Sequence, residues 1–239
     1  MDIRPYFIIN GKSSNSIRGL IVSELAPIKK AQVRTLIETV DGRDGDIVTP
    51  LGYSAYDKPV KIGLSVNYDI DEIIDYLNSE GTIVFSNEPD KYYRFAVYNE
   101  IDFERLIRFK TATINFHVQP YKFSTLEKEL SFEISESPES ISIYNAGNVY
   151  SRPTIYISAE GIVSVSLNGS EILEIDFGED EQTIKIDSED MNAYYSDDTL
   201  ANRIVSGNYD NIKLNKGWNT ITLSGSVSEL SVRNYTRYI

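Results

Sequence analysis

The chain offers few residues for chemistry. It has one histidine, one tryptophan, no cysteine, and 36 Asp and Glu against 23 Lys and Arg in 239 residues. A histidine can be the base of a nucleophile–His–acid triad. His117 stands in an alternating run, with Ala112, Ile114, Phe116 and Val118 on one face and Thr113, Asn115, His117 and Gln119 on the other. No Gly-x-Ser-x-Gly elbow accompanies it. The reading is a surface or interface histidine. The lack of cysteine removes disulfides, thiol nucleophiles and thiolate metal sites together.

Carboxylates crowd two regions: Glu171, Glu174, Asp176, Glu179, Asp180 and Glu181, then Asp187, Glu189, Asp190, Asp197 and Asp198. A glycosidase needs two carboxyl groups facing each other across about 5–10 Å, and the sequence singles out no pair. A calcium loop needs spaced oxygen ligands, a glycine at its sixth place and a glutamate at its twelfth. Counted from Asp41, the glycine comes one place early, at Gly45, and Gly52 stands where the glutamate belongs; residues 187–198 have no glycine. These acids read as solvated surface. No phosphate-binding loop or dinucleotide fingerprint is present. The expectation is a protein that is not an enzyme and uses no cofactor or metal.

Two aromatic features remain. Trp218 opens a strand whose Ile221 and Leu223 share one face, and strict alternation puts Trp218 on the other. Phase is loose at a strand start, so packing in the core or an interface is preferred over stacking on a sugar. Trp218 is thus a candidate contact for a partner or a saccharide. The 17 tyrosines are the second feature. Tyr53, Tyr56, Tyr92, Tyr98, Tyr121, Tyr194, Tyr195, Tyr235 and Tyr238 fall in turns, loops or polar strand faces, and tyrosine is enriched at interfaces.

The elements that must position these residues are mostly strands. Residues 6–9, 17–22 and 33–40 read as strands, with a turn at Asn10-Gly11. A tight reversal follows at Asp41-Gly42-Arg43-Asp44-Gly45-Asp46, then an irregular segment with Pro50, Tyr53, Tyr56 and Pro59. Val60, Ile62, Leu64, Val66 and Tyr68 alternate as one half-buried strand. Ile70, Ile73, Ile74 and Leu77 then form a helical stripe, with Asp69, Asp71 and Glu72 at its start and Gly81 as the expected left-handed cap. This is the one helix expected. Residues 82–85, 93–97 and 105–109 read as strands, and the run through Val118 is expected to stop at Pro120. The domain boundary is placed near Phe123, giving residues 1–123 and 124–239. The second half shows many short strands and closely spaced turns, including Asn168-Gly169, as a β-sandwich does. Residues 194–206 fit either a helical turn or a long loop.

The Gly42-Arg43-Asp44-Gly45 turn, followed by strand, helix and strands, resembles the distal tail protein family of long-tailed phages. So do residues 147–157 with Arg152-Pro153, and the Gly217-x-Asn219-x-Ile221 turn. The order and spacing of these short motifs span nearly the whole chain. The resemblance implies a mainly β protein: an N-terminal β-barrel-like ring domain with one helix, and a C-terminal galectin-like β-sandwich. It implies a homo-hexameric ring at the tail tip that joins the tail tube protein to receptor-binding proteins, is closed by a tail-tip cap protein, and lets DNA pass without specific binding. Arg43, Asp44, Tyr53, Tyr56, Tyr92, Arg94 and Tyr98 are the candidate ring-interface residues. Residues 124–239 have no room for an inserted sugar-binding module, so this half is expected to be a hub rather than a receptor binder. A carbohydrate-binding module and a cell-wall polysaccharide hydrolase remain as alternatives.

Charge is divided unevenly. Residues 1–123 hold 15 Lys and Arg against 17 Asp and Glu, a net of −2; residues 124–239 hold 8 against 19, a net of −11. Such a surface disfavours nucleic acid and anionic membranes. In a ring, the acidic excess is expected on the outer rim. Arg94, Arg105, Arg108 and Lys110 are expected at subunit contacts rather than the hole, which Asp41, Asp44 and Asp46 are candidates to line. Residues 1–10 have no basic start or long apolar run, so the expectation is synthesis in the host cytoplasm without a leader and residence in the virion.

Overall fold

The computed structural model describes residues 4–97, 101 and 103–239. The chain divides into two compact units, one up to Thr125 and one spanning Leu126–Tyr238. Each has its own hydrophobic core.

The first unit runs β1 (Phe7–Ile9), β2 (Lys12–Ser13), β3 (Leu20–Glu24), β4 (Val33–Thr39), β5 (Asp46–Tyr53), β6 (Tyr56–Leu64), α1 (Ile70–Leu77), β7 (Glu80–Phe85), β8 (Lys91–Ala96), α2 (Phe103–Phe109) and β9 (Thr111–Ser124). An antiparallel sheet orders these strands β2-β1-β7-β8-β9-β6-β3. Among the described residues, β4 and β5 pair only with each other, as a separate hairpin. Alternation puts Val60 and Ile62 of β6, and Ile114, Phe116 and Val118 of β9, on the buried face. Phe116 is the centre of an aromatic cluster: the rings of Phe7, Phe95 and Phe85 meet it edge-on at 5.2, 5.5 and 6.0 Å.

α1 forms where the periodicity predicts. Asp69 caps its N-terminus by accepting from the Glu72 N–H at 3.2 Å. Ile73, Tyr76 and Leu77 are its buried residues. Its C-terminus differs from expectation: Asn78 is the cap and donates to the Ile74 carbonyl. Gly81 lies inside β7 instead, at φ +128°, where a Cβ would come within 2.4 Å of the Asn10 side chain. Its freedom is used for that close approach.

Four other expectations are corrected. Residues 105–109 are helical, within α2, so the unit has two α-helices among its described residues. Arg105, Arg108 and Phe109 mimic a one-sided strand over five residues, but Leu106 is the residue this turn of helix buries. β6 ends at Leu64; Ser65 N–H still donates to the Gly19 carbonyl, and the chain bends away only after it, at residues 66–67, which leaves Val66 95% exposed. The segment with Pro50 and Tyr53 is strand β5, and Tyr56 and Pro59 belong to β6. Pro120 does not stop β9. It sits where the register with β8 slips between Tyr93 and Phe95, in a bulge that does not need its missing N–H.

The second unit is all β in its regular elements, apart from short 3₁₀ turns: β10 (Leu130–Glu133), β11 (Glu139–Asn145), β12 (Thr154–Leu167), β13 (Ser170–Asp176), β14 (Gln182–Asp187), β15 (Asn192–Tyr194), β16 (Val205–Gly207) and β17 (Gly217–Arg233). The ambiguous residues 194–206 resolve into the end of β15, a 3₁₀ turn at Asn202–Ile204 and the start of β16. The long strands β12 and β17 pair twice, on either side of a register break. Residues 154–159 of β12 pair with β14, and residues 162–167 with β13. Gly225 sits at the break with φ +125°, and a Cβ there would lie 2.5 Å from the Ile162 carbonyl oxygen. Both halves contribute to one core, through Ile155 and Ile157 on one side of the break and Val163 and Val165 on the other. Two long bent strands thus supply both layers of the sandwich. Asn168 and Gly169, at φ +53° and +84°, make the tight β12–β13 turn.

The Gly217-x-Asn219 motif has a structural reason. Asn219 is buried; its Oδ1 accepts from Asn215 N–H at 2.8 Å and Asn168 Nδ2 at 3.0 Å, and its Nδ2 donates to the Asn215 and Gly217 carbonyls. Asn219→Ala should cost the second unit about 1–3 kcal/mol, because it removes four hydrogen bonds of one buried amide that ties together the half-exposed turn at Asn215–Gly217 and Asn168. Denaturant unfolding followed by Trp218 fluorescence reads this directly, and a loss below about 0.5 kcal/mol would contradict it.

Candidate interface surfaces

The β4–β5 hairpin is the outlying element of the first unit. Every residue of β4 is exposed, and in β5 only Ile47 and Tyr53 are even half-buried. Ile37 and Val48 face each other across the ladder and are 59% and 56% exposed. Leu36 and Leu51 are also exposed. A two-stranded hairpin is marginal in water unless something covers it. Arg43 and Asp44 sit exposed in its tip, where Arg43 N–H closes the turn onto the Val40 carbonyl. Asp41 and Asp46 are exposed beside them.

The other candidate interface residues have separate surroundings. Tyr92 and Phe123 face each other in register, with rings stacked at 5.2 Å, and the Arg94 guanidinium lies 4.9 Å over Phe123. This places Tyr92 and Arg94 in one aromatic–cation stack. Tyr53 meets Tyr121 edge-on at 5.9 Å. Tyr56 is half-buried against the core, its hydroxyl donates to the Lys29 carbonyl, and burial raises its pKa. Tyr98 lies outside the described residues. Lys110 lies 4.2 Å over the Tyr68 ring, and Arg105 and Arg108 flank exposed Phe109 beside a shallow hollow.

His117 Nδ1 is 2.8 Å from Asp57, its register partner on β6. Acid and base are in contact, yet the hollow beside them is lined by Glu80, Thr82, Arg94, Phe95 and Gln119, and the one hydroxyl in that set, on Thr82, lies 3.5 Å from Asn10 Oδ1. Among the described residues, no three His, Asp or Glu side chains converge to hold a metal ion. The acidic runs are tied up locally: Asp187 accepts from Glu189 and Asp190 N–H, and Asp197 from Thr199 N–H.

Trp218 is not in the core. It is 72% exposed on the outer face of β17, as strict alternation requires, and pairs across the ladder with Tyr144, itself 55% exposed. Their rings lie 5.2 Å apart, tilted by 59°.

Sequence reasoning missed a buried charge cluster in the first unit. Lys58, only 1% exposed, lies with its ammonium 4.7 and 5.0 Å from the Tyr93 and Phe85 ring centres and 3.9 Å from Glu88. Glu88 accepts from Tyr93 Oη at 2.5 Å and from Lys122 Nζ at 2.6 Å. The signal was parity: Lys58 shares its face with Val60 and Ile62, as Lys122 does with Phe116 and Val118 before the bulge. Burial pulls the Lys58 pKa down to about 8, against the opposing pull of Glu88, while burial pushes the Tyr76 and Tyr93 phenols up.

From about pH 8 to about pH 10.4, the unfolded chain keeps the Lys58 proton that the folded chain has lost, so stability rises with pH. Above about pH 10 the unfolded chain sheds phenolic protons that the fold retains, so stability falls. The first unit should therefore be more stable near pH 9.5 than near pH 7.5. Lys58→Met should flatten that rise in urea unfolding curves, and a wild-type midpoint that is flat or falls over this window would contradict the assignment.

No family model and no curated protein matches the chain. Among solved structures, the Dit protein of phage SPP1, described as a paradigm of hub adsorption apparatus in phages infecting Gram-positive hosts, superposes with a TM-score of 0.72. It is 18% identical, over 98% of this chain and 99% of that one. A chain of the phage P2 baseplate in its activated conformation with calcium gives a TM-score of 0.53 at 12% identity, over 99% and 98%. The strontium form gives 0.51 at 11%, over 97% and 98%.

Proposed function

We propose that this chain, which has the fold of a phage distal tail protein, is a structural hub of a phage tail tip. In this reading six copies close into a ring that joins the tail tube to the host-adhesion device and leaves a hole for DNA. The observation that carries it is the likeness in fold to the SPP1 protein, which runs through both units and leaves almost no residue of either chain unmatched. The exposed β4–β5 hairpin supports it. Ring closure needs two different patches per subunit. The hairpin with Arg43, Asp44 and Tyr53 is one candidate patch, and the Tyr92–Phe123–Arg94 stack is the other.

The remaining roles extend the same reading. A tail tube protein would meet one side of the ring, a cap protein the other, and receptor-binding proteins the second unit, with the protein resident in the virion. Asp41, Asp44 and Asp46 would keep the hole acidic, so that passing DNA is not gripped, while Arg94, Arg105, Arg108 and Lys110 face subunit contacts. The net −11 of residues 124–239 would favour basic partner surfaces, so docking should weaken as salt rises from about 50 to 500 mM. No wall-degrading activity is expected, and a clear zone in cell-wall zymography, removed by one carboxylate substitution, would oppose this. Sedimentation of the purified chain, alone and with tail partners, tests the assembly. Hexamers support it, and monomers in every mixture would overturn it.

A further inference from the structure

We propose that the outer face of β11, β17 and β12 in the second unit is a saccharide-binding surface for neutral, hydroxyl-rich glycans, with Trp218 and Tyr144 as its stacking platform. The inference does not depend on ring formation, since all its residues come from one unit of one chain. The pairing register lays the surface out in rows. Tyr144 lies opposite Trp218, Ser142 opposite Thr220, and Ser140 opposite Thr222, which in turn lies opposite Ser166 on β12. The distance from Trp218 to Thr222 is on the order of 13 Å at ~3.3 Å per residue, room for a short oligosaccharide.

The chemistry of the rows selects the ligand. The outward side chains of these three strands from Ser140 to Tyr144, Trp218 to Ser224 and Ser164 to Ser166 are all uncharged, in a half of the chain that carries a net charge of −11. A protein anchor ordinarily sits inside a ring of close-packed contacts that exclude water. Here the ring is hydroxyls: Ser140 and Thr222 lie 2.8 Å apart, and each keeps capacity for a further bond. A tilted aromatic pair beside a ladder of hydroxyls suits a pyranose, which presents C–H groups on its faces and hydroxyls on its rim. Glu171 and Glu174 stand opposite Ser166 and Ser164 on β13 and would repel anionic polymers. Phosphate-bearing glycopolymers are therefore disfavoured relative to neutral ones. The face is open and the contacts few, so a single site should bind with a Kd of about 1 mM, far weaker than a dedicated receptor-binding module. It needs no inserted domain, which reconciles it with the small size of this half.

The test uses the fact that Trp218 is the only tryptophan in the chain. The full-length protein is titrated with laminari-oligosaccharides, chito-oligosaccharides and, separately, a glycerol-phosphate polymer while Trp218 emission is followed. A saturable blue shift with either neutral series but not the phosphate polymer is expected. Tyr144→Ala leaves the reporter in place and should weaken binding about fivefold or more. Trp218→Ala, followed by saccharide-observed NMR, should abolish it. Both sites are exposed, and the circular dichroism of each variant checks that it folds. The proposal is overturned if neither neutral series shifts the emission, if the phosphate polymer shifts it equally, or if Tyr144→Ala binds as wild type does. A shift caused by a tail-tip protein while the saccharides stay inert would make the pair a protein anchor and would also overturn it.

Discussion

Glu88→Ala should cost the first unit about 3–5 kcal/mol, a loss large enough to unfold a domain of this size at moderate temperature. Glu88 is the sole carboxylate in the described cluster and faces two buried ammonium groups, Lys58 and Lys122. Removing it leaves two like charges and the Tyr93 hydroxyl without their acceptor. Replacing the whole set, with Glu88→Leu, Lys58→Met and Lys122→Met together, should recover most of the loss, because a buried ion cluster rarely beats apolar packing of similar volume. Trp218 reports only on the second unit, so the readout should be hydrogen exchange at β6, β8 and β9. If Glu88→Ala exchanges within about 1 kcal/mol of wild type, the cluster is wet and the account of it is wrong.

Ile37→Asp combined with Val48→Asp should dissolve the proposed assembly while leaving both units folded. The two side chains are exposed in the single chain, so their loss takes nothing from either core. In a ring they would be covered, and an interface centre loses about 2 kcal/mol or more per residue. Together that is roughly a thousandfold at each contact. Facing carboxylates across one ladder add repulsion within the hairpin. Ile37→Ser with Val48→Ser, which adds no charge, should give an intermediate loss. Sedimentation at matched concentration separates the cases. Rings that persist in the Asp pair would move the contact away from the hairpin.

The sequence was most readable where periodicity and a specific residue agreed. α1 carries both a stripe and an Asp69 cap. The Asn168-Gly169 turn carries both flanking alternation and two residues able to take positive φ. Reading failed where one signal stood alone. Over five residues, α2 and a one-sided strand look the same. β6 and α1 are joined by Val66 and Tyr68, which continue an alternation the backbone has already abandoned. Pro120 argued for an end, and only the slipped register of β8 explains why β9 runs on. At the candidate surfaces, Trp218 followed strict alternation, and the allowance made for loose phase at a strand start was unneeded. Tyr144 carries no signal of its own in the sequence, because its partner across β17 is known only once the strands are paired. The Lys58–Glu88–Lys122 cluster was half legible: both lysines fall on core parity, but Glu88 reaches them from a loop that has no period.

The measurement closest to the central claim is negative-stain electron microscopy of the purified chain, alone and with the tail tube protein proposed to adjoin it. The account predicts closed rings of six subunits around a central hole, lost in the Ile37→Asp, Val48→Asp variant. Single particles without a hole, in every preparation and at every concentration, would contradict it.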